Sequence, residues 1–228
     1  MYWLYGLVIM LVAALELGAV AALVMALHRR AELPYALLTV GMITYLGGMM
    51  VQFTLLRAID SGLLGLLPVQ ALLVGLGVGF IEEIARFLGF QYLARSAVTR
   101  AQALMIGAGH GLPFAVYSSL VIFAVGLSLL GGGDTPDNLD VVLGEALAGA
   151  LSGWLPLVMH MALSWLVLQV FLRGALFWLF VSVFLHAVVE IMAQLLGTGE
   201  DWRVVAWRAL VALVSLGLIR WLRPPQTA

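Results

Sequence analysis

The sequence predicts an all-α protein that crosses a membrane seven times. Of its 228 residues, 64% are hydrophobic and 10% are charged, whereas about 25% of residues are charged in soluble domains. Apolar stretches of about 20 residues, each long enough to cross a bilayer as a helix, recur from end to end. They are continuously apolar, unlike the alternating strands of a transmembrane barrel. We therefore expect residues 1–228 to form a single membrane domain.

The seven expected spans follow one another through short connections. The first begins at the apolar N-terminus, which lacks the basic segment of a signal peptide, so we expect it to be retained. The one sizeable polar connection, residues 131–140, is rich in turn-forming residues and separates the fourth span from the fifth. The expected boundaries are 2–27, 34–56, 63–93, 101–130, 141–172, 174–196 and 203–222.

Arginines in the other connections predict the orientation of the chain. Connections after even-numbered spans contain Arg57 and Arg203, with Arg208 just inside the last span. Because cytoplasmic loops carry an excess of basic residues, we expect the N-terminus outside, the C-terminus in the cytoplasm, and the protein in the plasma membrane. The arginines expected on the cytoplasmic side are Arg29, Arg30, Arg95, Arg100, Arg173, Arg220 and Arg223.

Composition also excludes several functions. The formal net charge of −1 gives no support for nucleic-acid binding, which usually needs a basic surface. The chain contains no cysteine, so disulfides, thiolate metal ligands and cysteine nucleophiles are excluded.

Ionisable residues lie deep within the expected spans. Each costs about 2.5–3.5 kcal/mol at the bilayer centre on insertion scales, so such groups usually face a bundle interior and have partners. Measured from the cytoplasmic arginines at 1.5 Å per residue, most fall at a similar depth, about 15–20 Å from the boundary. We therefore expect one polar layer that forms a site. The residues concerned are Glu16, Glu82, Glu83, Arg86, His110, His160, His186 and Glu190.

Spacing within the helices refines this layer. Glu82 and Glu83 precede Arg86 by four and three residues, so Arg86 can neutralise one carboxylate and leave the other for chemistry. His186 and Glu190 are four residues apart, so they share one helix face. The structural alternative is that the ion pair and the histidines only fix helix packing. Gln52 is expected to be solvated or hydrogen-bonded at a helix end.

Imidazoles and carboxylates in one layer suggest hydrolysis. Three imidazoles with one or two carboxylates can hold a zinc-like ion and leave a position open for water. Without a metal, a desolvated Glu with a His could activate water, and a second His could donate to the oxyanion. Ligand types alone do not identify the metal. The candidate ligands are Glu82, His110, His160, His186 and Glu190.

Four motifs in span order carry a family resemblance. EEIAR, GAGHG, MHMALS and HAVVE resemble the YhfC family of intramembrane metalloproteases, which is related to the CAAX-prenyl and bacteriocin-processing proteases. The chain is also similar to the anterior-pharynx-defective subunit of γ-secretase, which has seven spans and histidines in the fifth and sixth. Three positions depart from these patterns: E-E-x-x-R is one residue shorter than the CAAX-type motif, Glu190 replaces Asn or Asp, and Phe114 replaces an acid.

The resemblance implies a role for each residue. Glu82 would be the general base, with His110 helping to activate water, while His186 would bind or polarise the scissile carbonyl. Arg86 would position Glu82 and Glu83. The substrate would be a transmembrane or membrane-proximal peptide.

Two other functions use the same residues. A scaffold that binds other transmembrane helices, or copies of itself, would use the polar layer for packing, as the γ-secretase subunit does. A transporter would use the acids and imidazoles as a relay for metal ions or protons, although no discontinuous-helix repeat supports this.

Overall fold

A computed structural model of the chain describes residues 2–60, 67–132, 138–197 and 201–223. These residues form seven α-helices and one short π-helical segment, Gly89–Leu93, and include no β-strand. Six of the seven helices are long and apolar enough to cross a membrane, and α3 is not among these six. The all-α class and a multi-pass membrane protein are thereby confirmed. The helices are α1 (Tyr2–Ala31), α2 (Ala36–Asp60), α3 (Leu67–Leu88), α4 (Arg100–Leu130), α5 (Leu139–Arg173), α6 (Phe177–Leu196) and α7 (Trp202–Trp221).

The expected spans match these helices closely. The exception is the third, predicted as one helix over 63–93, which the structure divides into α3 and the π-helical segment. Residues 63–66 of that prediction, and residues 133–137 of the loop at 131–140, lie outside the described residues. Local propensity does not distinguish a π turn from an α turn, so hydropathy could not predict this change of winding.

Helix α5 is the centre of the bundle. Of its most apolar 18-residue stretch, 78% is buried, against 28% or less in the other five candidate spans. It contacts α1, α3, α4, α6 and α7. Lipid-facing apolar side chains cover the outer helices, as is normal where the solvent is hydrocarbon.

Glycines bring α4 against both of its inner neighbours. A Cβ on Gly107 would overlap the Met161 Cα on α5, and one on Gly109 would overlap the Leu38 carbonyl oxygen on α2. Small residues are used in this way to let membrane helices approach at backbone distance. His110 lies next to Gly109, so these contacts press it into the interface between α2 and α5.

The same device joins α3 to α6. A Cβ on Gly79 would lie 2.7 Å from the Ala187 backbone nitrogen, and one on Gly75 would overlap Ile191. Gly79 lies one turn before Glu83, and Ala187 follows His186. The close approach of the two backbones therefore brings the acids of α3 next to the histidine of α6.

Candidate functional site

The structure brings six of the predicted residues together, from four helices. α3 contributes Glu82, Glu83 and Arg86, and α4, α5 and α6 contribute one histidine each. All six are buried, with 6% exposure at most. The His110 and His160 ring centroids are 4.9 Å apart, and those of His160 and His186 are 5.4 Å apart. Charged and polar groups thus occupy one continuous cluster inside the bundle.

Glu83 is the fully paired carboxylate of this cluster. Arg86 Nη1 forms an ion pair with Glu83 Oε1, which also accepts from His186 Nδ1 at 2.8 Å. Ser182 Oγ donates to the other oxygen at 2.5 Å. A buried carboxylate is tolerated when a counter-charge and hydrogen bonds replace its water. Of the two carboxylates that Arg86 could neutralise, the structure therefore selects Glu83.

Among the described residues, Glu82 has an amide and imidazole rings as partners, and no arginine. Gln52 Nε2 donates to Glu82 Oε1 at 2.8 Å. Oε2 faces two ring nitrogens, His110 Nε2 at 3.0 Å and His186 Nε2 at 3.7 Å. No cationic side chain in the described part of the chain forms an ion pair with Glu82 other than these histidines. Glu82 is thus the carboxylate available for chemistry.

His110 bridges Thr44 and Glu82. Its Nδ1 lies 2.9 Å from Thr44 Oγ1, and that hydroxyl also lies 2.8 Å from the Gly41 carbonyl oxygen. Its Nε2 lies 3.0 Å from Glu82 Oε2. With no metal ion, the neutral ring carries its proton on Nε2 and donates it to Glu82, while Nδ1 accepts from the Thr44 hydroxyl. A metal ion bound to Nε2 would instead select the tautomer with the proton on Nδ1, which Thr44 Oγ1 can accept while it donates to Gly41.

The partners of the other two histidines assign their tautomers. Glu83 is an acceptor only, so His186 Nδ1 carries the proton, and Nε2 of the neutral ring is free toward Glu82. Arg86 is a donor only, so His160 Nδ1 accepts from Arg86 Nη2 at 3.1 Å, and the proton of the neutral ring is on Nε2. His186 therefore has a free Nε2, and the lone pair of His160 is already used. His110 has a free Nε2 only in the tautomer that a metal ion would select.

The donor set fits a zinc ion. Glu82, His110 and His160 each offer one ligand atom, all within 4.8 Å of one another. Two ligands of one tetrahedral zinc lie about 3.4 Å apart, close to the 3.0 Å between Glu82 Oε2 and His110 Nε2. Distance thus selects His160 as the third ligand, whereas hydrogen bonding favours His186. We favour His186, because only its Nε2 has a free lone pair.

Two predicted residues lie apart from the cluster. Glu190 is within electrostatic range of His186 and Arg208 but is not in the group of close ligand atoms among the described residues. Glu16 was expected in the same layer, and this is wrong. A Cβ on Gly153 would overlap Glu16 Oε1, and Gly153 is seven residues, about 10 Å along the helix axis, from His160.

Three residues of the site escaped the sequence analysis: Thr44, Gln52 and Ser182. Gln52 is hydrogen-bonded, which was one of its two expected environments, but it is buried in the bundle and donates to Glu82. All three are neutral, and neutral polar residues cost little in a span. The one feature that could have identified them is that each is a hydrogen-bonding residue in an otherwise apolar stretch. Many residues in such positions bond only their own backbone, so this feature is weak.

No protein-family model, curated protein or solved structure matches this chain. The resemblance to intramembrane metalloproteases therefore stays a prediction, and a function can be inferred only from the geometry of the site.

Proposed function

We propose that this protein is an intramembrane hydrolase that cleaves peptide bonds in or next to the membrane. The observation that carries the proposal is the pairing of Glu82 Oε2 with His110 Nε2, 3.0 Å apart inside the bundle, with His186 Nε2 3.7 Å from the same oxygen. A carboxylate hydrogen-bonded to an imidazole can take the proton of an activated water, and the same two atoms can bind a metal ion.

Each residue then has a role set by its partners. Glu82 and His110 activate water. His186, with a free Nε2 3.7 Å from Glu82, binds the metal ion or the scissile carbonyl. Glu83 and Arg86 are positioning residues, because their polar atoms are used to orient His186 and His160.

Zinc is the metal that we propose for these ligands. Glu82, His110 and His186, with His160 as an additional ligand, are nitrogen and oxygen donors of the kind found at catalytic zinc sites. A bound zinc ion would supply Lewis-acid polarisation of the carbonyl and a hydroxide-like nucleophile at neutral pH. Thr44, Gln52 and Glu83 would hold the ligands in place through their hydrogen bonds.

We also propose a location and an orientation. The excess of arginines in the connections after odd-numbered helices supports a cytoplasmic C-terminus and an outside N-terminus in the plasma membrane. The proposed substrate is a transmembrane or membrane-proximal peptide of the same bilayer.

Metal content tests the metal half of this proposal. We expect about one zinc ion per chain in protein purified in nanodiscs, measured by plasma mass spectrometry, and its loss from the His110→Ala/His186→Ala double variant. A His28→Ala variant is the matched control, because His28 bonds the Leu33 carbonyl away from the cluster. Absence of metal from wild-type protein would contradict the zinc site.

Cleavage needs a test that assumes no substrate. Wild type and Glu82→Gln are incubated in vesicles with membrane proteins of the host, and new peptide N-termini are labelled and identified by mass spectrometry. We expect fragments that appear with wild type and not with Glu82→Gln. The same fragments from both would refute hydrolysis by Glu82.

The scaffold is the second candidate, and burial of the cluster favours it. Only 8% of the Glu82 side chain is exposed, and the Glu83 side chain is not exposed at all. In a scaffold, His160→Ala and His186→Ala would lower thermal stability and capture of partner helices, and Glu82→Gln would yield an unchanged fragment pattern. The cleavage experiment therefore also decides between the two functions.

A further inference from the structure

A second polar feature, separate from the cluster, is a cavity of about 570 Å³ between α4, α5 and α7. Its volume is within the range of ligand-binding cavities. Most of its wall is apolar, from aromatic and branched side chains of α4, but Ser118, Ser152, Glu145 and Arg208 also line it. Polar side chains lining a cavity at membrane depth usually indicate water. The polar lining therefore favours water over lipid as the content of the cavity.

The cavity lies on the same helix faces as the histidines. On α4 its walls come from residues 4, 7, 8, 11, 12 and 15 positions after His110, among them Phe114 and Ser118. On α5 they come from residues 7, 8, 11, 14, 15 and 18 positions before His160, among them Gly153. Residues at these spacings share one face of an α-helix. The cavity thus continues the space occupied by His110 and His160, toward the end where α4 ends and α5 begins.

Prolines explain why the two helices separate there. Pro113 lies three residues after His110 and Pro156 four residues before His160, both between the cluster and the cavity. A proline removes one helical hydrogen bond and bends the helix. The carbonyl that Pro156 leaves without its helical donor is that of Ser152. Arg208 Nη1 donates to this carbonyl at 2.8 Å.

Arg208 consequently stands at the junction of the cavity and the cluster. Its guanidinium also lies over the Phe114 ring, 5.7 Å from the centroid. Glu190, one turn beyond His186 on α6, is within electrostatic range of both His186 and Arg208. Charged and polar groups therefore extend from the cavity wall, at Arg208, to Glu190 and His186.

We propose that this cavity is the aqueous entrance through which an extended peptide segment reaches Glu82 and His110, from the end of the bundle where α4 ends and α5 begins. The peptide part rests on the proposed function, whereas the aqueous route does not. A mostly apolar wall with a few hydroxyl and charged groups suits apolar side chains on a polar backbone. The entrance lies opposite the arginine-rich end of the bundle.

The absence of cysteine makes a direct test possible. Val121 and Leu120 are neighbours on α4 with similar exposure, 46% and 58%, but only Val121 lines the cavity. Single-cysteine variants Val121→Cys, Leu120→Cys and the near-isosteric Ser118→Cys are treated with a charged, membrane-impermeant methanethiosulfonate in sealed vesicles. Thiol reagents of this class react with the thiolate, which forms in water and not in lipid.

The expected result is unequal labelling. Val121→Cys and Ser118→Cys should react at least about tenfold faster than Leu120→Cys, because a thiolate can form only at the first two positions. Labelling should occur only when the reagent is on the side of the α4–α5 connection. Equal rates for Val121→Cys and Leu120→Cys, or labelling from the opposite side, would overturn the aqueous entrance.

Occlusion tests whether the peptide takes this route. A bulky maleimide on Ser118→Cys should abolish the Glu82-dependent fragments, whereas the same reagent on Leu120→Cys should leave them unchanged. Unchanged fragments in both would overturn the peptide route. If wild type binds no metal and yields no fragments, the proposed function fails, and the labelling rates still decide whether the aqueous entrance exists.

Discussion

Replacement of Thr44 by valine removes one hydroxyl and keeps the rest of the side chain. The methyl group Cγ2, which packs against Gly89, is present in both residues. When His110 Nε2 binds a metal ion, the hydroxyl would accept from His110 Nδ1, 2.9 Å away, and donate to the Gly41 carbonyl. The substitution therefore tests this hydrogen bond with little change in packing.

The expected magnitude follows from burial. His110 is 0% exposed, so an Nδ1 proton without an acceptor costs about 1–3 kcal/mol. Moving the proton to Nε2 avoids this cost but directs it at Glu82 and blocks the lone pair that a metal needs. Either way zinc loses about 10–100-fold in affinity, which is the usual effect of removing a hydrogen bond to a metal-bound histidine.

The assay is competition for zinc between the protein in nanodiscs and a chromophoric chelator. Thr44→Ser keeps the hydroxyl and should stay within about threefold of wild type. Thr39→Val is the matched control on the same helix, because the Thr39 hydroxyl donates to the carbonyl of Tyr35, the residue just before α2. A Thr44→Val protein that binds zinc as tightly as Thr44→Ser would refute the role of Thr44 as the acceptor for metal-bound His110.

Three further substitutions test the supporting structure. Ser182→Ala removes a hydrogen-bond donor to buried Glu83 and should lower the unfolding free energy in detergent by about 1–3 kcal/mol. The variant should still produce the cleavage fragments. Unchanged stability would contradict this hydrogen bond. Arg86→Met removes the counter-charge of Glu83 and should lower the stability of the fold by about 3–5 kcal/mol, so that little protein accumulates in the membrane. Normal accumulation would show that the ion pair is dispensable. Gly107→Ala should destabilise the bundle through its overlap with α5, whereas Gly144→Ala, whose Cβ would meet nothing within 4 Å, should not; equal melting temperatures would refute the close approach.

Hydropathy and the cost of buried charge explain what the sequence could predict. A span must be apolar over about 20 residues, so the helices were visible without any tertiary information. A charge in such a span needs a partner, so Glu82, Arg86 and the histidines were expected to meet. Whether Arg86 pairs with Glu82 or Glu83 was not predictable, because both spacings suit one helix face and the choice depends on Ser182 and His186 in α6.

The depth of Glu16 shows where such reasoning stops. Counting residues from a loop assumes that every helix meets the membrane boundary at the same residue and angle. Helix α5 has 35 residues and is about 52 Å long, well beyond the roughly 30 Å of hydrocarbon, whereas α6 has 20 residues. Helices of such different length must tilt or protrude, so equal counts do not give equal depths. Glu16 meets Gly153 for this reason rather than His160.

The long-range pairing of Glu83 has a consequence for how the chain is made. Its partners on α6, Ser182 and His186, follow it by 99 and 103 residues. At about 5–20 residues per second, the ribosome needs roughly 5–20 s to synthesise that stretch. During this time Glu83 has only Arg86, on its own helix, as a partner, and each charge costs about 2.5–3.5 kcal/mol in lipid. The third helix must therefore wait beside the insertion machinery, or at the membrane surface, until the sixth arrives.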